Sequence, residues 1–206
     1  MSMHSGPFIV EFLGTPEAGK TTTIKRLEEE LKKITNVSIL QESAEIVPEV
    51  FQSPEYKKSM EAHLWMRLTM AAEMLRQQCG CENGDIILAD RGIIDAFCWN
   101  YYFADKKLLN NSTVMHFKLL LERICQMPNL IIYLTTTSEE AIRRRGGEGK
   151  IVTLEFVDTF QSALNSFLRS ASIPVFHLDT TCMSKEEVFR AVYERVISSY
   201  NNNSVN

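Results

Sequence analysis

The chain has 206 residues, 45% hydrophobic and 23% charged, with 9 Gly and 6 Pro, which is enough apolar material for a sizeable core and shows no bias toward disorder. Lys and Arg number 22 against 26 Asp and Glu, for a net charge of −4, so there is no general basic field for nucleic acid or an anionic membrane. The five cysteines, Cys79, Cys81, Cys98, Cys125 and Cys182, form an odd set without a charged-then-apolar leader, which argues for the cytoplasm over a secreted disulfide framework, and no apolar run nears the roughly 20 residues of a membrane span.

The polar stretch 1–6 and the Asn-rich end 201–206 are expected to be disordered, and no linker or repeat divides 1–206, so a single domain is expected. Phe8–Leu13 is short, apolar and rich in β-branched and aromatic residues, as a strand should be. It runs into Gly14-Thr15-Pro16-Glu17-Ala18-Gly19-Lys20-Thr21, which fits G-x-x-x-x-G-K-[ST], the Walker A phosphate loop. Gly14 and Gly19 let the backbone wrap with its N–H groups inward, Lys20 brings a charge toward β- and γ-phosphates, and Thr21 offers a hydroxyl to Mg²⁺. Residues Gly14 through Thr22 are therefore the candidate nucleotide contact, with ATP and Mg²⁺ as cofactors. A helix over about 19–34 follows, with its positive end at the loop.

Val37–Leu40 reads as a second strand that delivers Gln41-Glu42-Ser43 at its carboxyl end, where open α/β sheets bind ligands; Glu45 is the fallback acid. A helix over 55–79 carries a stripe of Met60, Leu64, Ala71, Met74 and Leu75 on which Arg67 also falls. That Arg is either a guanidinium snorkelling at the margin or an anion ligand in a cleft. Cys79 and Cys81 lack the second pair that a zinc site needs and read as plain thiols. Ile86–Ala89 is a third strand ending in Asp90-Arg91, which beside the loop strand puts Asp90 near Mg²⁺ and Arg91 above the phosphates.

In the next helix, 92–103, Asp95 either receives an acceptor hydroxyl or caps the first turn. Trp65, Trp99, Tyr101, Tyr102 and Phe103 either stack on a base or fill the core. Helices over 113–126, 138–146, 153–171 and 184–200 alternate with strands at Leu130–Leu134 and Val175–Leu178. The 138–146 helix ends in Arg143-Arg144-Arg145, and at about 100° per residue at most two of these face one phosphate site. Arg143 with Arg145, or Arg144 alone, could spread transition-state charge, and Gly146, Gly147 and Gly149 would hinge the segment. Five continuously apolar strands separated by helices predict an α/β parallel sheet covered on both faces.

The loop, the strand-terminal Asp90-Arg91 and the Arg cluster together resemble the thymidylate kinase and deoxynucleoside kinase group of P-loop kinases. That resemblance implies a three-layer P-loop NTPase fold with a five-stranded parallel sheet in the order 2-3-1-4-5 and an Arg-bearing lid, here about 138–152. It also implies that Glu42 takes the proton from the acceptor hydroxyl, and Leu154-Glu155-Phe156 resembles the Leu-Glu-Tyr segment that follows that lid. Gln41 and Ser43 stand where Arg and Pro flank the Glu in relatives, and Gly92-Ile93-Ile94-Asp95 replaces the Tyr and Ser pair of thymidylate kinases.

The expected function is phosphoryl transfer from Mg-ATP to a small acceptor, a nucleoside or nucleoside monophosphate. A kinase for a non-nucleotide metabolite and an ATP-binding regulatory protein are the alternatives. The candidate catalytic residues are Lys20, Glu42, Asp90, Arg91, Arg143, Arg144 and Arg145; Glu42, Arg67, Arg91 and Asp95 are the candidate acceptor contacts; Thr21 and Asp90 are the candidate metal ligands. No nucleic acid or membrane partner is expected, and a homodimer is left open.

Overall fold

The computed structural model describes residues 6–42, 48–49, 53, 59–105, 107, 109–147, 153–169 and 172–204. Five strands, β1 (Phe8–Gly14), β2 (Val37–Leu40), β3 (Ile86–Asp90), β4 (Leu130–Thr135) and β5 (Val175–Asp179), form one sheet in the order β2-β3-β1-β4-β5. All four pairings are parallel, with Phe12 of β1 beside Asp90 of β3 and Leu13 beside Tyr133 of β4. Seven helices are formed among the described residues: α1 (Lys20–Leu31), α2 (Met60–Gly80), α3 (Ile93–Asp105), α4 (Asn111–Ile124), α5 (Ser138–Arg145), α6 (Leu154–Leu168) and α7 (Lys185–Ser204).

Strand side chains alternate between the two faces, so central strands covered on both are apolar at most positions. Ile9, Leu13, Ile87, Ala89, Ile131 and Tyr133 pack with Met70 and Met74 of α2, Ile93 and Phe97 of α3, Leu121 of α4, and Phe160 and Leu164 of α6. Phe8, Val10, Phe12, Leu88, Ile132 and Leu134 pack with Ile24, Leu27 and Leu31 of α1 and with Val188, Val192 and Val196 of α7. Each fully buried Leu, Ile or Val contributes about 1.5–3 kcal/mol of transfer energy. β1, β3 and β4 are buried throughout, whereas the edge strands β2 and β5 are only half-buried.

Side-chain caps set several helix starts. Ser59 Oγ accepts from Ala62 N–H at 3.2 Å, Asn110 Oδ1 from Thr113 N–H at 2.7 Å, Thr137 Oγ1 from Glu140 N–H at 3.2 Å and Thr153 Oγ1 from Phe156 N–H at 3.2 Å. Each satisfies an N–H that the first turn leaves free. The expected start of α2 at 55 falls on residues 54–58, outside the described ones, as do Ser43, Glu45, 148–152 of the expected lid (with Gly149), and the end of the 153–171 helix at 170–171.

α7 runs through Asn201, Asn202 and Asn203 to Ser204, past the expected helix end at 200, while residues 1–5 and 205–206 lie outside the described ones. The preceding turn is held by Tyr200, whose hydroxyl donates to Gly84 O at 2.7 Å and whose ring packs edge-on against Phe8, and Asn129 Nδ2 reaches Asn203 Oδ1 at 3.5 Å. At the other end, Gly6 lies against Gln126, whose side chain donates to Pro7 O at 3.0 Å. Among the described residues no helix is long and apolar enough to cross a membrane.

Candidate functional site

The phosphate loop joins the end of the central strand β1 to the start of α1. Gly14 has φ 136°, and a Cβ there would lie 1.7 Å from the Leu134 carbonyl oxygen, so no side chain is possible where the loop leaves the sheet. Gly19, at φ 96°, is the N-cap of α1 and offers no side-chain cap. The first-turn N–H groups of α1 therefore stay directed at the loop, which suits an anion. The loop is pinned from behind: Thr136 N–H donates to Thr15 Oγ1 at 3.1 Å, and Thr180 Oγ1 lies 3.2 Å from Ala18 O and 3.0 Å from Thr135 O.

Lys20 is buried, and its Nζ donates to Gly14 O at 3.2 Å and Thr15 O at 2.9 Å. Burial and then the Arg91 charge lower its pKa to about 8, against the pull of Asp90, Glu42 and Asp95. Those five charged groups thus form one cluster at the carboxyl ends of β1, β2 and β3 or just beyond them.

Thr21 Oγ1 donates to Asp90 Oδ2 at 2.7 Å. The other oxygen, Asp90 Oδ1, is buried without a hydrogen-bond partner, and a buried acceptor left unpaired is costly unless something else meets it. A carboxylate oxygen beside a hydroxyl is a hard donor set of the kind Mg²⁺ takes, with water and phosphate oxygens supplying the rest. The residues present fit that ion. Among the described residues no group of three or more His, Cys, Asp or Glu side chains is arranged to hold a metal by itself.

Arg91 has φ 62°, an uncommon conformation for a side chain of its size. Its Nη1 donates to Asp95 Oδ1 at 2.9 Å, and its Nε lies 2.9 Å from Glu42 Oε1. Burial works against its charge, but the Glu42, Asp95 and Asp90 carboxylates more than offset this and hold its pKa above the ordinary range. Burial also raises the pKa of Asp95, with Arg91 opposing. One guanidinium therefore ties together the ends of β2, β3 and the first turn of α3. Its Cζ lies over the Phe160 ring, 5.5 Å from the centroid.

Arg67 does not snorkel. It is 5% exposed, with Nη1 donating to His63 O at 2.6 Å and Nε to Ala96 O at 3.4 Å. Burial lowers its pKa to about 10, while Asp95 opposes that shift. Beside it lies a wall of rings that single-helix periodicity does not reveal. His63 is 4.5 Å from Phe103 and 5.2 Å from Trp99, and Trp99 is 4.6 Å from Phe160 and 6.0 Å from Phe156. Burial and then the Arg67 charge lower the His63 pKa to about 3. Tyr101 takes the other direction, toward Phe167 at 5.7 Å.

The three arginines of α5 separate. Arg143, with 73% of its side chain exposed, pairs with Glu140. Arg144 donates to Glu17 O at 3.0 Å, Thr180 O at 2.6 Å and Thr180 Oγ1 at 3.2 Å, bracing the phosphate loop against the end of β5. Arg145 Nη1 lies 3.8 Å from the Glu17 carboxylate. The pairing of Arg143 with Arg145 on one face is not found, because both lie within α5, where residues two apart point about 200° apart around the helix; Arg144 and Arg145 are the two that approach the loop.

Sequence reasoning missed Glu11. It is fully buried in β1, and its carboxylate accepts from Gly92 N–H at 2.9 Å, Ile94 N–H at 3.1 Å and Asp95 N–H at 2.9 Å. The available signal was one acid within an otherwise apolar central strand, since a buried charge there requires partners.

The same fold occurs in solved kinases of low sequence similarity. The chain is similar to deoxyadenosine kinase from M. mycoides with bound dATP, at 18% identity and a TM-score of 0.69 over 92% of this chain and 98% of that one. The same enzyme with dCMP and dCDP bound gives 18% and 0.72 over 93% and 100%. Thymidylate kinase from Candida albicans gives 16% and 0.69 over 95% and 94%. No curated protein matches the sequence significantly. The expected 2-3-1-4-5 sheet of the P-loop kinases is thus the observed one, and because the family model of the AAA domain matches residues 9–185, from β1 to the start of α7, the chain belongs to the AAA domain family.

Proposed function

We propose that this chain transfers the terminal phosphoryl group of Mg-ATP to a small acceptor, a nucleoside or nucleoside monophosphate. One observation carries the reading: the Glu42–Arg91–Asp95 cluster lies at the ends of β2 and β3, within electrostatic reach of Lys20. A protein that only sensed ATP would need the loop and its Lys. The added carboxylates and guanidinium are the groups that a second, hydroxyl-bearing substrate requires. The rings of Trp99, Phe103, Phe156 and Phe160 beside them suit a planar base. Deoxyadenosine kinase and thymidylate kinase, which share the fold, act on substrates of this kind.

In this reading residues Gly14 to Thr22 hold the nucleotide polyphosphate, with Lys20 as the charge on it. Mg²⁺, when bound, would supply charge neutralisation to the phosphates, and Thr21 and Asp90 are the residues that would hold it. For a hydroxyl acceptor, Glu42 takes the proton as the acceptor oxygen bonds to phosphorus and the bond to the bridging oxygen of ADP breaks. Arg91 steadies the charge on the transferred group, Asp95 and Arg67 orient the acceptor, and Arg144 and Arg145 keep the loop in shape.

The test is to incubate the protein with Mg-ATP and pools of nucleosides, nucleoside monophosphates or small hydroxylated metabolites and follow ADP. Stimulation by the first or second pool supports the proposal. Stimulation by the metabolite pool alone overturns the acceptor class, and ATP binding with no stimulation overturns group transfer.

A further inference from the structure

A charged residue in the middle of a central strand requires explanation, because burial makes its charge expensive and an apolar side chain of similar size would cost less. Glu11 is such a residue, on the face of β1 that also carries Ile9 and Leu13, where α3 packs. Burial pushes its pKa up to about 7 even though backbone N–H groups of Asp95, Ile94 and Gly92 oppose the rise.

What the carboxylate does is legible from its partners. The first turn of a helix leaves N–H groups free, and a side chain at the N-cap ordinarily meets them. At the start of α3 the residue before the helix is Gly92, which has no side chain, and Glu11 supplies the oxygens from 81 residues earlier in the chain. Gly92 is itself shaped by this contact: a Cβ there would lie 2.9 Å from Glu11 Oε2 and 3.0 Å from its Cδ. The gripped segment begins right after Arg91, which is held at φ 62°, and ends at Asp95, the residue that Arg91 pairs with.

We infer that Glu11, with Gly92 as its partner, is a positioning residue: its grip on the backbone from Gly92 to Asp95 holds the Arg91–Asp95 pair in register with the phosphate loop and so sets the acceptor side of the site. This rests on the proposed acceptor role of Arg91 and Asp95. The grip itself does not, because it is made wholly between the chain's own Glu11 side chain and the backbone N–H groups of Gly92, Ile94 and Asp95.

The experiment uses Glu11→Gln, which keeps the size but turns an amide N–H toward the donors, and Gly92→Ala, which keeps the carboxylate but crowds it. In ¹⁵N-labelled protein without nucleotide, the expected result for Glu11→Gln is faster exchange of the Gly92, Ile94 and Asp95 amides, by about tenfold or more, together with loss of the slowly exchanging Arg91 guanidinium signal. An unchanged Arg91 signal overturns the inference whatever the kinetics. With an acceptor in hand, both variants should raise the acceptor KM by about tenfold or more while ATP affinity stays within about twofold. Equal losses for acceptor and ATP, or none, make Glu11 a purely structural cap and overturn its role at the site. Absence of acceptor-stimulated turnover in the unaltered protein rejects the functional reading alone, since the Arg91 signal still decides the grip.

Discussion

Thr21 Oγ1 donates to Asp90 Oδ2 across 2.7 Å, joining the second residue of α1 to the last residue of β3. The pair leaves Asp90 Oδ1 buried and unpartnered, so Asp90→Asn should disturb ion binding more than folding. We expect the Mg²⁺ concentration for half-maximal activity to rise about tenfold or more, with unfolding free energy changed by no more than about 1.5 kcal/mol, the worth of one hydrogen bond. Titration of activity against Mg²⁺ together with urea melts checks this. The same Mg²⁺ response in the variant would remove Asp90 from the metal shell.

Glu42 faces Arg91 at 2.9 Å, and its replacement separates transfer from binding. Glu42→Gln keeps size and hydrogen bonding but removes the base. Acceptor-dependent kcat should fall by about 10²- to 10⁴-fold, while ATP affinity, set by the loop, should change little. Undiminished kcat would move the base to Asp90 or Asp95, and a loss of ATP affinity would mean that Glu42 serves the nucleotide instead.

Neighbouring arginines of α5 should behave differently. Arg144 bridges the phosphate loop and the residues after β5 through Glu17 O, Thr180 O and Thr181 O, so Arg144→Gln leaves the carbonyl of the buried Thr180 short of a donor. That should cost about 1–3 kcal/mol of stability. Arg143, turned outward onto Glu140, should tolerate Gln within about 0.5 kcal/mol. Denaturant unfolding of the two variants is the measurement, and equal losses would contradict the bracing role.

Acid stability tests His63 and Glu11 against each other. The native state holds His63 neutral down to about pH 3, against 6.5 for an ordinary imidazole, so the unfolded chain takes up that proton first and stability falls as pH drops from 6.5 toward 3. Glu11 is the reverse: its pKa is about 7 in the native state against 4.5 unfolded, so the native state binds the extra proton and stability rises as pH drops from 7 to 4.5. Each slope is worth about 1.4 kcal/mol per pH unit where only one state is protonated. His63→Phe should therefore become relatively more stable than the unaltered protein on acidification from pH 6.5 to 4.5. Glu11→Gln should become relatively less stable over the same window. Parallel pH profiles for all three proteins would show that neither group is buried as described.

What was legible in the chain was local. The strands over 8–13, 37–40, 86–89, 130–134 and 175–178 lie inside the observed ones because continuous β-branched and aromatic runs bury both faces of a sheet wherever it sits. The phosphate loop could be read because its glycines answer to backbone conformation within a few residues, and the order 2-3-1-4-5 came with the resemblance that this loop and Asp90-Arg91 carried. Helix ends such as those of α4 were misjudged by a few residues, since caps such as Asn110 act through single hydrogen bonds that periodicity does not register.

Tertiary structure decided everything that depends on a partner far along the chain. On the stripe of α2, Arg67 reads either as a marginal snorkeller or as an anion ligand, and only α3 supplies the Ala96 carbonyl and the Phe103 ring that enclose it. Arg143, Arg144 and Arg145 are chemically alike, and only the seat of α5 beside Glu17 and Thr180 makes Arg144 the brace. Glu11 and Gly92 stand 81 residues apart, so neither carries a local sign of the other. A buried charge is tolerated only where the folded backbone brings donors to it, and which donors those are is settled by the packing of α3 on β1, not by the residues on either side of Glu11 in the sequence.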